Sequence, residues 1–223
     1  MKIDINNIKS IIFDMDGVIF DTELVYLEIW SKVFEKYGYK LQKEVYAEVL
    51  GTGRENVKKV FLNNYGNELP IDKMYREKDE DLEKAVDKGI PLKQGAYEIL
   101  SYLKNNNYKI ALATSASKER ALKQLRYADI EKSFDVIVSR DDVKETKPNP
   151  DIFLKAAKKL NVNPNECIVI EDSSAGIKAA FNAGMAGIHV VDLKEPDNEI
   201  IRNCYKSFNN LNDIRKEIEM LRG

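Results

Sequence analysis

The stretch Ile11-Ile12-Phe13-Asp14-Met15-Asp16-Gly17 indicates the fold class, because a short apolar run ends in two aspartates and a glycine. A β-branched and aromatic run of this kind is typical of a buried parallel strand. Its carboxyl end would deliver Asp14 and Asp16 to the ligand-binding edge of an open α/β sheet. Two carboxylates this close together also suit a Mg²⁺ ion. The alternative is an acidic turn without chemistry, since Asp and Gly are ordinary turn residues.

Four further apolar runs end in polar residues in the same way, and stretches with helical spacing separate them. The runs cover residues 110–113, 136–138, 167–170 and 187–191. This alternation predicts βα repeats around a parallel sheet with right-handed crossovers. The predicted fold class is therefore α/β, with a Rossmann-like parallel sheet as its core.

Residues 22–89 break this alternation. They contain several helical stripes of apolar residues but no clear β-branched strand run. We therefore predict an inserted α-helical domain at 22–89 and an α/β core domain formed by 1–21 and 90–223. Gly89 and Pro91 would provide a hinge near the second junction. A stripe at the C-terminal end predicts a helix that docks on the core, formed by Leu211, Ile214, Ile218 and Leu221.

Composition narrows the class of protein. Of the 223 residues, 43% are hydrophobic and 32% are charged, which allows a core and excludes disorder. The net charge of −2 argues against nucleic acid as a partner. The polar start Met1-Lys2-Ile3-Asp4 predicts no signal peptide, and the lack of a run of about 18 apolar residues predicts no membrane span. With only two cysteines, a reduced, cytoplasmic protein is expected. The sequence leaves the oligomeric state open.

The polar residues at the predicted strand ends form the inventory that phosphoryl transfer needs: a nucleophile, a divalent cation, and donors for the phosphate oxygens. Asp14 can attack phosphorus and form an aspartyl phosphate. Asp16 can protonate the leaving oxygen and then deprotonate the attacking water. The adjacent carboxylates of Glu171 and Asp172 follow a buried strand, where desolvation demands a cation or a proton. Alternatively, Glu171 and Asp172 only cap the N-terminus of the following helix.

Phosphate-holding groups are predicted at two other places. Thr114 and Ser115 lie between a strand and a helix, where hydroxyl and backbone N–H groups can bind a phosphate, although both residues would be plain helix caps in most proteins. Lys147 can pair with the phosphate and with Asp14, and its alternative is a solvated lysine. The sequence Lys147-Pro148-Asn149-Pro150 restricts the backbone and favours a positioned side chain. His189, the single histidine, is predicted to be an ordinary strand residue, which makes zinc improbable.

Four stretches together resemble the motifs of the haloacid dehalogenase (HAD) superfamily in order and spacing. They are DMDGVIFDTE at 14–23, ATS at 113–115, KPNPDIF at 147–153 and IEDSSAGIKAA at 170–180, so the resemblance spans nearly the whole chain. It implies an HAD-like fold and a Mg²⁺-dependent aspartyl-phosphate mechanism. Asp14 matches the nucleophile, Asp16 the acid/base, Thr114 the phosphate-holding hydroxyl and Lys147 the clamp.

The same resemblance implies the metal ligands. Asp14, the main-chain carbonyl of Asp16 and Asp172 match the ligand positions, with Glu171 beside them in the first or second shell. The helical insertion resembles the C1 cap of the β-phosphoglucomutase-like subgroup. The aspartate two residues after the nucleophile favours phosphatase or mutase chemistry over dehalogenation.

The cap motif separates two rival activities. The loop Gly51-Thr52-Gly53-Arg54 resembles the subgroup's cap loop, whose arginine binds the distal phosphate of a bisphosphorylated sugar; Arg54 is alternatively a surface residue. Leu50 stands where the mutases have a lysine, and Tyr26 where they have a histidine. These departures favour a phosphatase of small phosphomonoesters, with sugar phosphates as the expected substrates, over a hexose-phosphate mutase. A phospho-acceptor signalling module is a third hypothesis, which Asp16 and the large insertion disfavour.

Overall fold

The computed structural model describes residues 7–50, 52–192 and 196–222. The chain divides into two compact units. The core unit comprises the described residues of Met1–Asp21 and Pro91–Gly223, and the helical unit comprises those of Thr22–Ile90. The predicted insertion lies in the helical unit, and its role as a cap stays a prediction.

A single six-stranded sheet organises the core unit. Its strands, in chain order, are β1 (Ser10–Phe13), β2 (Lys109–Ala113), β3 (Val136–Val138), β4 (Cys167–Glu171), β5 (Ala186–Val190) and β6 (Cys204–Phe208). Their spatial order is β3-β2-β1-β4-β5-β6, and every neighbouring pair is parallel. The predicted parallel α/β sheet is confirmed, and β6 is an edge strand that the sequence analysis did not predict.

Ten α-helices are found in the described residues. The helical unit contains α1 (Thr22–Lys36), α2 (Lys43–Val49), α3 (Arg54–Tyr65) and α4 (Ile71–Lys88). The core unit contains α5 (Ala96–Asn105), α6 (Lys118–Tyr127), α7 (Asp151–Leu160), α8 (Ser174–Asn182), α9 (Asn198–Asn203) and α10 (Leu211–Arg222). None of the helices in these ranges has both the length and the apolar composition needed to cross a membrane.

Helices cover the sheet and bury its central strands. The residues of β1 and β4 are all buried, as expected for parallel strands that are covered on both faces. One core cluster joins Ile12 and Val169 of these strands to Phe153 of α7. Helix α10 buries Leu211, Ile214 and Ile218 and contacts α5 and β6, so it is the docking helix predicted at the C-terminal end.

The strand register sets the position of the functional edge. Phe13, the last residue of β1, pairs with Leu112 of β2 on one side and with Ile170 of β4 on the other. The residues that follow these three positions therefore leave the sheet at the same edge. The backbone N–H of Asp14 donates to the carbonyl of Ile170 at 3.0 Å, and this hydrogen bond ties the end of β1 to β4.

The helical unit has its own core, formed by an aromatic cluster. The Trp30 ring lies edge-on to the rings of Phe61 and Tyr75, with centroid distances of 5.2 and 4.9 Å. Phe34 packs edge-on against Phe61 at 5.1 Å. Phe61 of α3 and Phe34 of α1 are fully buried. Aromatic pairs of this geometry contribute beyond the area that they bury, so this cluster stabilises the packing of α1, α3 and α4.

We expect Phe61→Ala to lower the free energy of unfolding by about 3–5 kcal/mol, because it removes a buried ring and leaves a cavity. The measurement is urea unfolding followed by tryptophan fluorescence, since Trp30 contacts Phe61. Leu24→Ala is the matched control, because Leu24 lies on α1 in the same unit but is 44% exposed. A loss no larger than that of the control would contradict this account of the helical unit.

Candidate active site

The ammonium group of Lys147 is the centre of the site. It donates to Oδ1 of Asp14, to Oε1 of Glu171 at 2.6 Å, and to the carbonyl oxygen of Ala113 at 3.3 Å. These three acceptors lie at the carboxyl ends of β1, β4 and β2. Only 7% of the Lys147 side chain is exposed. One buried cation thus joins the ends of three neighbouring strands.

Burial and the neighbouring charges shift the pKa values of Asp14, Glu171 and Lys147. Burial raises the pKa of the Asp14 carboxyl to about 7, although Lys147 acts in the opposite direction. Burial also opposes ionisation of Glu171, but Lys147 and Ser173 outweigh it and hold the pKa of Glu171 below its ordinary value. Burial disfavours the ammonium of Lys147, yet the two carboxylates raise the pKa of Lys147 above its ordinary value. Lys147 is therefore charged at neutral pH.

Glu171 is fixed on both sides of its carboxylate. Its second oxygen, Oε2, accepts from the backbone N–H of Ser173 at 2.8 Å and from the Ser173 hydroxyl at 2.9 Å. Ser173 also caps α8 by accepting from the N–H of Gly176 at 3.1 Å. A Cβ atom at Gly176 would overlap the Glu171 carboxylate, so this position in α8 requires glycine. The first turn of α8 therefore fixes the position of the Glu171 carboxylate.

Asp14, Glu171 and Asp172 form an acidic cluster, in which each residue offers a carboxylate oxygen within 4.8 Å of the others. Oxygen donors of this kind suit a hard divalent cation. The turn after β1 fits closely against the cluster: Gly17 has a φ of 75°, and a Cβ there would overlap Oδ2 of Asp172. The donor set and the glycine turn thus fit a divalent metal.

The Asp172 main chain is supported from β5. Nε2 of the buried His189 lies 3.1 Å from the carbonyl oxygen of Asp172, and Nδ1 lies 3.1 Å from the hydroxyl of Ser207. Because a carbonyl only accepts, Nε2 carries the proton. His189 is thus a packed strand residue, as predicted, and it supports the backbone of a candidate metal ligand.

The carboxylate of Asp16 is ion-paired with an arginine of α6. Oδ1 of Asp16 accepts from Nη2 of Arg120 at 2.6 Å. About a quarter of each side chain is exposed. Sequence reasoning missed Arg120, which lies three residues after Ser117, the N-cap of α6. A basic residue in a first helical turn is a weak signal in a chain with 35 lysines and arginines.

Thr114 and Ser115 follow β2, as predicted, but their environments differ. Thr114 is buried, and its Oγ1 accepts from the N–H of Ala116 at 3.0 Å. Its own N–H donates to the carbonyl of Val138 at 3.0 Å. Ser115 is exposed. The loop leads directly into α6, where the N–H of Lys118 already donates to Oδ2 of Asp141 at 2.8 Å and that of Arg120 to Oγ of Ser117 at 3.3 Å. The roles predicted for both residues stay predictions.

A second ion-paired group lies at the same edge and was also missed. Lys93 contacts Asp192, which follows β5, and lies 3.6 Å from Oδ1 of Asp21. Burial raises the pKa of Asp192 above its ordinary value, although Lys93 acts to lower it. A Cβ at Gly17 would lie 3.1 Å from Oδ2 of Asp192, so this carboxylate reaches the turn that carries Asp16.

Arg54 begins α3 in the helical unit. Its guanidinium lies 4.2 Å from the ring centroid of Tyr75 and 3.4 Å from Oδ2 of Asp79. A residue that was not predicted, Lys78, is buried, and its ammonium lies 5.5 Å from the rings of both Tyr26 and Tyr75. Gly51, the first residue of the predicted cap loop, lies outside the described residues. The substrate role of Arg54 stays a prediction.

The sequence model of the haloacid dehalogenase-like hydrolases matches residues 11–190, which are most of the chain. The chain therefore belongs to this family. It is 34% identical over 183 residues to the phosphorylated carbohydrates phosphatase of Thermotoga maritima, covering 82% of this chain and 85% of that protein. It is 36% identical over 190 residues to the β-phosphoglucomutase of Bacillus subtilis, covering 82% and 83%.

A solved structure shares the fold. The crystal structure of β-phosphoglucomutase from Clostridium difficile superimposes with a TM-score of 0.71 and 31% sequence identity, covering 96% of this chain and 98% of that chain. The predicted family and the HAD-like fold are thus confirmed, as is the prediction of an enzyme. Membership in a hydrolase family also favours an enzyme over the phospho-acceptor module.

Lys147→Met tests the electrostatic account of the site, because it leaves Asp14 and Glu171 buried without a cation. We expect the free energy of unfolding in EDTA to fall by about 3–5 kcal/mol near neutral pH. In the wild type, the lowered pKa keeps Glu171 ionised at both pH 8 and pH 5, because its contribution to stability is lost only when the pH falls through that lowered pKa. In the variant, both carboxyls prefer the proton. The difference in the free energy of unfolding between wild type and Lys147→Met should therefore be smaller at about pH 5 than at about pH 8.

The measurement is urea unfolding at both pH values. Lys144→Met, a change at an exposed lysine in the same loop, is the control. If the loss of unfolding free energy in Lys147→Met is the same at both pH values, or is larger at about pH 5, Lys147 does not have this electrostatic role.

Proposed function

We propose that this chain is a Mg²⁺-dependent phosphatase that hydrolyses small phosphomonoesters, sugar phosphates among them, through an aspartyl phosphate on Asp14. The observation that carries the proposal is the buried contact of Lys147 with Asp14 and Glu171, beside the candidate metal ligand Asp172. The similarity to a phosphatase of phosphorylated carbohydrates supports the substrate class. A phosphorylated small molecule is thus the proposed partner.

Asp14 is the proposed nucleophile. Lys147 holds its Oδ1, which leaves the other carboxylate oxygen to attack phosphorus. Because burial raises the pKa of Asp14 to about 7, the attacking carboxylate needs nearby positive charge to stay ionised. Lys147 supplies part of this charge from within the chain. The attack forms a bond from the Asp14 oxygen to phosphorus and breaks the bond to the leaving oxygen.

Asp14, the carbonyl of Asp16 and Asp172 would hold Mg²⁺, with Glu171 beside them as the partner of Lys147. The bound ion would neutralise charge on the phosphate oxygens and on the surrounding carboxylates. Asp172 suits this role because a neighbouring glycine turn and the His189 contact to its carbonyl fix its surroundings. Glu171 suits the supporting role because both its oxygens already accept hydrogen bonds.

Asp16 and Thr114 complete the proposed mechanism. Asp16 donates its proton to the leaving oxygen in the first step, then accepts a proton from the water that attacks phosphorus and releases Asp14. Thr114 and the exposed Ser115, together with Lys147, hold the phosphate oxygens. The acid/base is regenerated, and the water supplies the oxygen of the free phosphate.

A hexose-phosphate mutase is the second candidate, because the chain is 36% identical to a β-phosphoglucomutase over most of its length. A mutase returns the phosphoryl group to a sugar before water reaches it. Leu50 and Tyr26 stand where that subgroup has charged or ionisable residues, so two contacts to a bisphosphorylated sugar are weakened here. Arg54 and the buried Lys78 are the cations of the helical unit that we propose for substrate binding. The weakened contacts at Leu50 and Tyr26 favour hydrolysis over return of the phosphoryl group to the sugar.

Asp14→Asn should lower kcat/KM for phosphate release by at least about a thousandfold, because the amide is nearly isosteric but lacks the nucleophilic charge. Phosphate release from p-nitrophenyl phosphate and a panel of sugar phosphates measures this. EDTA should abolish the wild-type rate, and added Mg²⁺ should restore it. Asp151→Asn, at the exposed start of α7, is the control. A tenth of the wild-type rate in Asp14→Asn, or full activity in EDTA, would overturn the mechanism.

Phosphatase and mutase differ in the first product to accumulate. With β-glucose 1-phosphate and catalytic glucose 1,6-bisphosphate, we expect free phosphate to outrun glucose 6-phosphate. Loss of one charge-assisted contact costs about 1.5–3 kcal/mol, which shifts partitioning toward water by about one to two decades. The double variant Leu50→Lys with Tyr26→His should move the ratio back toward glucose 6-phosphate. Glucose 6-phosphate accumulating many turnovers ahead of phosphate in the wild type would establish the mutase.

A further inference from the structure

Arg120 contacts the proposed acid/base Asp16 but has no role in the proposed mechanism. Nη2 of Arg120 donates to Oδ1 of Asp16 at 2.6 Å, which is the length of a strong charge-assisted hydrogen bond. The two residues are 104 positions apart in sequence. The start of α6 is fixed independently, because Ser117 caps the helix by accepting from the N–H of Arg120 at 3.3 Å. Arg120 is thus anchored at its backbone and directed at the acid/base.

Asp16 needs such an external partner. It lies in the turn after β1, directly before Gly17 with its positive φ, and a quarter of its side chain is exposed. Two freely rotating torsions let an exposed carboxylate take several orientations. A general acid must lie within hydrogen-bond reach of the leaving oxygen, so each wrong orientation lowers the rate. A guanidinium on one oxygen reduces these orientations and leaves the second oxygen to exchange the proton.

We infer that Arg120 is a positioning residue that holds the Asp16 carboxylate toward the leaving-group oxygen. This inference rests on the proposed function. Arginine stays protonated at every working pH, so it cannot itself be the acid that protonates the leaving oxygen. In the inferred role, its effect on the reaction passes through Asp16. It follows that Arg120 matters most for substrates whose leaving oxygen requires a proton.

Leaving-group dependence tests this directly. We would measure kcat/KM, which covers the steps through enzyme phosphorylation, on p-nitrophenyl phosphate, phenyl phosphate and glucose 6-phosphate. The leaving oxygen becomes more basic along this series. For Arg120→Met we expect a loss of about 10- to 100-fold on glucose 6-phosphate, an intermediate loss on phenyl phosphate, and less than about threefold on p-nitrophenyl phosphate. Asp16→Asn should give the same order with larger losses.

Three comparisons make the result specific. Arg120→Lys, which keeps a cation, should recover most of the glucose 6-phosphate activity. Arg126→Met is the matched control, because Arg126 is also on α6 and also ion-paired, to Glu131 at 2.8 Å, but is exposed. It should keep the wild-type rates on the whole series. Inhibition by inorganic phosphate should be unchanged in Arg120→Met, since the inferred role involves no contact with the phosphate. Thermal unfolding verifies that each variant is folded.

Equal losses on all three substrates, or weaker inhibition by phosphate, would overturn the inference and make Arg120 a phosphate ligand or a structural residue. If Arg120→Met does not fold, Arg120→Lys is measured instead. Any loss of kcat/KM in that variant must again be confined to the substrates with basic leaving groups. Failure of the proposed function is a separate result. In that case the wild type hydrolyses none of the three esters with Mg²⁺, or Asp16→Asn shows no leaving-group dependence.

Discussion

The buried ammonium of Lys147 is the interaction on which the rest of the site depends. It contacts Asp14, Glu171 and the Ala113 carbonyl, so it holds together the carboxyl ends of β1, β4 and β2. A buried carboxylate without a cation is costly, and two side by side would oppose folding at neutral pH. The same charge that permits folding also favours ionisation of the proposed nucleophile. Stability and reactivity therefore have a common origin at this edge of the sheet.

The parts that were predictable are those that local sequence patterns encode. Apolar runs that end in polar residues predicted β1 to β5, and because parallel strands share one carboxyl edge, the convergence of Asp14, Glu171 and Asp172 followed. Lys147 lies in the loop between β3 and α7 rather than at a strand end, and its pairing with Asp14 was expected from its charge. The edge strand β6 was missed because its run, Cys204–Phe208, is mixed and only half-buried. The Arg120–Asp16 and Lys93–Asp192 contacts were missed for another reason. Long charged side chains choose partners through tertiary structure, and no spacing in the sequence marks them.

The helical unit contains Leu50 and Tyr26, the two positions at which the sequence analysis expects a difference from the mutases. Its aromatic cluster around Trp30 gives it a core of its own, so its polar residues can vary without loss of the fold. Lys78 illustrates the limit of motif reasoning: it is buried beside Tyr26 and Tyr75, although it belongs to α4, a helix rich in charged residues. In the proposed mechanism the core unit supplies the reacting groups, and the helical unit supplies the cations that we propose for substrate binding.

The most direct test of the central claim is to trap the covalent intermediate. A single turnover of wild type and of Asp16→Asn with Mg²⁺ and p-nitrophenyl phosphate, whose leaving oxygen needs no proton, would be quenched in acid, digested and mapped by mass spectrometry. The account predicts one phosphoryl group on the peptide that contains Asp14, and more of it in Asp16→Asn, because that variant lacks the base that activates water. Phosphate release without any phosphorylated Asp14 at early times, or a phosphoryl group on a different residue, would contradict the account.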